Sequence, residues 1–347
     1  MGKSEDKIAK HGGKFVLGLL VYGLTIGIVL TALAGFWGFQ QYVGEGPLEE
    51  SRLVSIKRGM GLNQIASYLE DEGAISNRFI FIIGAQIYGT ATGLKAGEYE
   101  LEPQISAQKI AQKLRDHEAF ARRVTIREGL TSFEIVRLLN GVEELSGEIT
   151  EIPPEGSLLP NTYDYQLNEP RNDILKRMSK AMSKTLNIAW ENRVNDLPFK
   201  TKEEALVLAS IIEKETAVAR ERRKVAGVFI NRLKRGMLLQ TDPTVIYAIT
   251  KGEHKNDGKG PLGRRLLRKD LKYDSPYNTY KYAGLPPGPI ANPGKAAIEA
   301  ALNPESHDYI YFVADGTGGH AFGRTLKEHN ANVAKWRKIR REQSKKN

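Results

Sequence analysis

The chain of 347 residues contains no cysteine, which excludes a disulfide framework, a thiolate nucleophile and a cysteine-ligated metal. Its six histidines show no H-E-x-x-H or similar ligand spacing, so zinc chemistry is not expected. A third absence is local: residues 15–44, FVLGLLVYGLTIGIVLTALAGFWGFQQYVG, carry no charge. Roughly 20 apolar residues cross a bilayer core, and this run is longer than that. It also exceeds the h-region of a signal peptide, and no clean A-x-A site closes it. Lys3, Lys7, Lys10 and Lys14 precede the run, whereas Glu45, Glu49 and Glu50 follow it. The positive-inside rule then leaves residues 1–14 in the cytoplasm and everything after Gly44 outside. A single-pass anchor over 15–43 is therefore preferred to a cleaved signal peptide, with Trp37 and Tyr42 at the outer interface.

What is present supports an α+β protein. At 41% hydrophobic, the chain can hold two or three folded units. Val54–Gly59 (VSIKRG), followed by Leu62, Ile65, Ala66 and Leu69, is echoed by Val124–Gly129 (VTIREG), followed by Ile135 and Leu138. Each copy reads as an alternating strand, a glycine turn and an amphipathic helix. Residues 95–101 and 105–114 repeat the pattern without the glycine turn. Such units resemble LysM modules, which bind N-acetylglucosamine polymers, and would make residues 51–145 a LysM-like region; an ordinary small α+β packing unit reads equally well. A Gly/Glu/Pro-rich connector at 141–155 bounds it, and Tyr163 follows on a polar loop suited to a carbohydrate. Residues 172–194 form a helix whose Ile174, Leu175, Met178 and Met182 belong to the core. Residues 251–272 make a solvated Gly/Lys/Arg-rich loop. Asp315–Gly319 lacks the Gly-Lys-Ser/Thr ending of a phosphate loop and reads as a hairpin turn presenting His320, after a buried strand at 309–313. A helix at 329–339 leads into a tail at 335–347 with seven basic residues against one acid, Glu342. Such a tail can meet nucleic acid, anionic lipid or an acidic polymer, or be a solvated end. The whole chain is +10.

The most informative stretch is 205–247. It reads as helix up to Gly236, and at about 100° per residue Leu208, Ile212, Ala219, Ala226 and Leu233 share one stripe. Glu215 falls within that stripe and Glu213 on the opposite, solvated side. A carboxyl among apolar groups has a raised pKa, as a general acid needs near neutral pH. If the helix is unbroken, Arg222 falls on the same face, so a buried ion pair with Glu215 is the competing reading. Beyond Gly236, Thr241 or Asp242 caps a new helix with Pro243 in its first turn. Capping accounts for Asp242; it does not account for Gln240 and Thr241. Asn278 and Tyr280, in a rigid turn-rich segment that includes GLPPGPI at 284–290, suit a sugar subsite.

These strings together — ASIIEKET at 209–216, FINRLKRGMLLQTDPTVIYA at 229–248, YNTY at 277–280, GLPPGPIANPG at 284–294 and YFVADGTGGHAF at 311–322 — resemble the MltG (YceG-like) family of endolytic murein lytic transglycosylases. The resemblance implies a catalytic domain over 156–334 and matches the family's acid to Glu215. A Pro-Asp-Thr-Tyr common in the family reads Pro160-Asn161-Thr162-Tyr163 here, which removes a carboxylate. The implied reaction cleaves the MurNAc–GlcNAc bond of nascent peptidoglycan strands without metal or cofactor. Gln240, Thr241, Asn278, Tyr280, Tyr163 and His320 would bind substrate, with Glu213 a secondary candidate. The implied location is the inner membrane with the catalytic domain outside, and the implied partners are glycan strands and penicillin-binding proteins, not nucleic acid. A muramidase that hydrolyses the same bond and a non-catalytic wall-binding scaffold are the competing classes.

Overall fold

The computed structural model describes residues 5–253 and 261–344. Parts of three expectations therefore lie outside the described residues: the N-terminus at 1–4, the basic loop at 254–260 and the tail at 345–347. The chain divides into two compact units, Met1–Arg122 and Arg123–Asn347.

In the first unit, helix α1 (Glu5–Val43) contains Leu20–Val43, 24 residues apolar and long enough to cross a membrane. Strand β1 (Arg52–Ile56) leads through the glycine turn, with Gly59 at φ +88°, into α2 (Leu62–Asp71). Helix α3 (Arg78–Ile87) is capped by Asn77, whose side chain accepts from the amides of Phe79 and Ile80. Strand β2 (Gly97–Leu101) then pairs antiparallel with β1, Val54 opposite Tyr99, and α4 (Ala107–Asp116) closes the unit behind the cap Ser106. Alternation puts Val54, Ile56, Tyr99 and Leu101 into the core with Ile65, Leu69, Ile110 and Leu114.

The second unit carries the other copy of the repeat. Strand β3 (Arg122–Thr125), the turn at Gly129 (φ +77°) and α5 (Ser132–Asn140), opened by a Thr131/Glu134 capping box, reproduce the expected order. β3 pairs with β4 (Thr162–Tyr165). The connector at 141–155 is thus not where the chain divides. Val124, Ile126, Ile135 and Leu139 share one core with Leu145, Ile149, Tyr163 and Tyr165, so the second repeat copy packs across the connector with β4. Next come α6 (Arg171–Glu191), α7 (Lys202–Glu215), a 3₁₀ turn (Ala219–Glu221), α8 (Arg222–Lys234), α9 (Asp242–Thr250) and α10 (Lys295–Leu302). Strands β5 (Tyr311–Ala314) and β6 (His320–Gly323) form the hairpin that presents His320. β5 is half-buried rather than fully buried, because a two-stranded hairpin offers only one face to a core. Helix α11 (Leu326–Ser344) continues through the described part of the basic tail.

Helix α7 is the axis of this unit. Val207 to Ile212 are buried without interruption, since α6, α8, α9 and α10 all pack on it. Beside it, the loop carrying Asn292 is tied down by a buried polar knot. The Asn292 amide donates to Ser132 Oγ (3.1 Å) and Glu155 Oε1 (3.0 Å), and its carbonyl accepts from Leu158 N (2.9 Å). Burial pushes the Glu155 carboxyl up to about 7, against the donors at Ser132. The folded chain therefore holds a proton there that the unfolded chain releases at lower pH, so this group's contribution to stability is complete below the ordinary carboxylate range and is lost as pH rises toward 7. Thermal melts of the full chain over a pH series are expected to show this loss, on the order of 3 kcal/mol, in wild type and not in Glu155→Gln.

Candidate active site

Helix α7 ends at Glu215 because Thr216 leaves helical geometry (φ −140°, ψ 125°) and its Oγ1 accepts from Val218 N at 3.1 Å. A side-chain hydroxyl here replaces the helical partner of the backbone, and the chain turns before α8 begins. The Glu215 carboxyl accordingly projects from the last turn of α7, the negative end of that helix, which disfavours its anion. There it meets Thr241, which stands at the N-cap position of α9. Thr241 makes no capping bond; its hydroxyl donates to Glu215 Oε1 instead. The first turn of α9 is the positive end of a helix, so the carboxyl lies between opposite helix termini.

The hydroxyl is aimed by a frame of buried groups. Thr241 N donates to Thr279 Oγ1 (3.1 Å), Gln240 N to Thr279 O (3.1 Å), and Thr279 Oγ1 is paired with Thr244 Oγ1 (2.8 Å). Asn278 holds that loop in shape: its amide donates to Leu271 O and Tyr273 O, and its carbonyl accepts from Tyr280 N. Tyr280 Oη in turn donates to Asp242 Oδ1 at 2.6 Å. On the other side, buried Arg232 donates to Ile310 O (2.7 Å) and Leu239 O (2.8 Å), fixing the approach to Gln240, which itself takes a left-handed backbone (φ 52°). His320 Nδ1 is 2.8 Å from Glu221 Oε2.

Burial is the main force on Glu215 and raises its pKa; the Thr241 donor lowers it, Asp242 raises it, and His320 and Arg232 lower it. Among the described residues Glu215 has no ion-pair partner. The arrangement suits a carboxyl that begins protonated, gives up its proton, and is tolerated briefly as an anion.

The YceG-like family matches residues 54–335, which contain every element of this site. The chain belongs to the YceG-like family. A relative from Bacillus subtilis (strain 168), named endolytic murein transglycosylase, is 36% identical over 80% of this chain and 82% of its own. A protein of the same name from Streptococcus pneumoniae (strain R6) is 29% identical over 93% of this chain, which spans 65% of that relative's length. The crystal structure of a YceG-like protein from Listeria monocytogenes, 33% identical, superposes with a TM-score of 0.50 over 81% of this chain and 98% of its own.

Within this YceG-like fold, the candidates named from sequence separate into groups. Glu215, Thr241, Tyr280 and His320 come together; Gln240 is exposed beside them. Asn278 is fully buried with its amide committed to backbone carbonyls, where it shapes the loop. Tyr163 is a core residue whose hydroxyl donates to Leu159 O (2.7 Å). Glu213 is neither solvated nor on a free face: its side chain is 6% exposed, accepts from Gly294 N (2.8 Å) and lies 3.7 Å from Arg222. The ion pair considered for Glu215 thus belongs to Glu213, because the break after Glu215 redirects the chain that carries Arg222. Sequence reasoning passes over Arg232 and Thr279 and accounts for Asp242 as a cap alone. Arg232 carries a signal, lying in line with Val225 and Phe229 on the buried face of α8.

Replacing Thr241 by Val removes the donor that favours the anion and is expected to move the Glu215 titration to higher pH. Asp242→Asn removes a repelling charge and is expected to move it lower. The infrared carbonyl band of the protonated carboxyl, identified by its loss in Glu215→Gln, reports both shifts; movement in the same direction would contradict the site as described.

Proposed function

We propose that the protein is a membrane-anchored endolytic lytic transglycosylase that cleaves the MurNAc–GlcNAc β-1,4 bond of nascent peptidoglycan and leaves 1,6-anhydroMurNAc ends, with Glu215 as its one catalytic carboxyl. The observation that carries this reading is the environment of Glu215: a pKa raised by burial, a hydroxyl donor in Thr241 and, among the described residues, no paired cation, in a chain of the YceG-like family.

In this mechanism protonated Glu215 donates to the glycosidic oxygen as the bond to the muramyl C1 breaks. The resulting carboxylate takes the proton of the muramyl C6 hydroxyl, whose oxygen bonds to C1. The proton balance closes on one residue, and no water enters. Thr241 stabilises the transient anion, and Tyr280, Gln240 and His320 orient the glycan from surfaces that remain partly open. Glu213, paired and buried, keeps α7 in place against α10. Hydrolysis would need a second carboxylate across the scissile bond. Asp242 is the nearest candidate, and its commitment to the Tyr280 hydroxyl speaks for the single-acid route.

The wider reading follows from the chain's organisation. Leu20–Val43 anchors the protein in the inner membrane with the chain after the span outside, and residues 51–145 act as a LysM-like glycan contact. Cutting then falls on new strands beside penicillin-binding proteins and limits their elongation.

Uncrosslinked peptidoglycan strands incubated with the full chain are expected to yield anhydro-muramyl ends by mass spectrometry, with Glu215→Gln lowering the rate by at least about 10²-fold. Reducing ends would instead mean hydrolysis and shift attention to Asp242. Binding without cleavage would make the protein a wall-binding scaffold.

A further inference from the structure

Helix α3 has an outer face that a soluble helix would not have. Residues 79–94, FIFIIGAQIYGTATGL, contain no charged side chain. The inner face of α3 is used by Phe81, Gly84 and Ala85, which are buried in the core of the first unit. Its outer face carries Phe79, Ile83 and Ile87 at successive helical turns, and these are 59%, 55% and 75% exposed. A surface helix ordinarily places polar residues on that side. An apolar stripe of this kind marks a surface that meets something apolar.

Its position says what. Gly84 lies flat against the Tyr42 ring, where a Cβ would overlap it, and the rings of Tyr42 and Tyr88 stack with centroids 5.5 Å apart. These contacts fasten α3 to the last turn of α1, so that Ile83 and Ile87 line one apolar groove with Trp37 and Gly38 of the span. The stripe therefore continues the apolar surface of Leu20–Val43 without a polar break. At about 1.5 Å per residue α3 is some 15 Å long, half a bilayer core, so it can lie in the interface but not cross it.

We propose that α3 is a second, interfacial membrane contact, its Phe79–Ile83–Ile87 face seated in the outer boundary of the bilayer beside the end of the span. The partner is lipid acyl chain and headgroup boundary, as for a monotopic helix. The proposal rests on the reading of Leu20–Val43 as a membrane anchor.

The absence of native cysteine makes the test direct. Full-length Ile83→Cys and Ile87→Cys, each carrying an environment-sensitive fluorophore, are placed in nanodiscs of phosphatidylethanolamine and phosphatidylglycerol. Ile28→Cys in the span and Gln112→Cys on the exposed face of α4 serve as references. Doxyl-labelled lipid is expected to quench positions 83 and 87 to an extent comparable with 28, and aqueous iodide to reach only 112. Iodide quenching at 83 and 87, with 28 still lipid-quenched, would overturn the interfacial contact and leave the anchor intact. Protection from both quenchers would mean that protein, such as a second copy of the chain, covers the stripe, and would overturn it too. Iodide quenching at 28 would remove the anchor, and the proposal with it.

Discussion

The hydrogen bond from Thr241 to Glu215 joins the end of α7 to the beginning of α9, and the site depends on it. It forms only because two local preferences yield. Thr216 abandons the helix, which leaves Glu215 on its final turn, and Thr241 withholds its hydroxyl from the cap that its position calls for. The surrounding frame of Thr279, Thr244, Asn278 and Arg232 holds Thr241 and the loops beside it in the position that this requires. A buried network of this kind is worth having only when complete, since each unsatisfied group would cost about 1–3 kcal/mol.

Three buried carboxyls of the second unit show how surroundings assign roles to one side-chain type. Glu213 has a backbone donor and a nearby guanidinium, and so it is a fastening. Glu155 has amide and backbone donors inside a loop knot, and keeps its proton toward neutrality through burial. Glu215 has one hydroxyl donor, a repelling neighbour in Asp242, and surface still open to solvent. What sets the third apart is its place, at the end of α7 against the first turn of α9 and beside His320 and Arg232, where Thr241 rather than a backbone amide meets it. Titratable groups with differing environments are how one fold separates structural acids from a reactive one.

The first unit obeys a different logic, dominated by apolar surface. Its core is closed by the β1–β2 pair and three helices, and its remaining apolar surface is concentrated on α1 and the outer side of α3. Burying such surface is worth roughly 25 cal/mol per Å², so a contiguous stripe is a strong determinant of where a helix rests.

Periodicity, glycine turns and caps determined the elements: both strand–turn–helix copies, the helix with its Met178 stripe, the hairpin at His320 and the uncharged span were legible, since each rests on interactions within a few residues. The apolar surroundings of Glu215 were legible, but the stripe that suggested them was not what formed, since the helix breaks at Thr216 and α7 is buried on every side. The boundary at Arg122 was not, because it depends on β3 pairing with β4 some forty residues away. The fate of Glu213 was decided by packing on every side of α7, where a helical projection assumes one buried face. Polarity and aromaticity make Asn278 and Tyr163 suit a sugar; tertiary structure commits the amide to backbone carbonyls and buries the ring. Asp242 and Arg232 acquired their place beside Glu215 only when α8, α9 and the 271–282 loop met around it. Local sequence sets which hydrogen bonds a residue can make, and long-range packing decides which partner is there to make them.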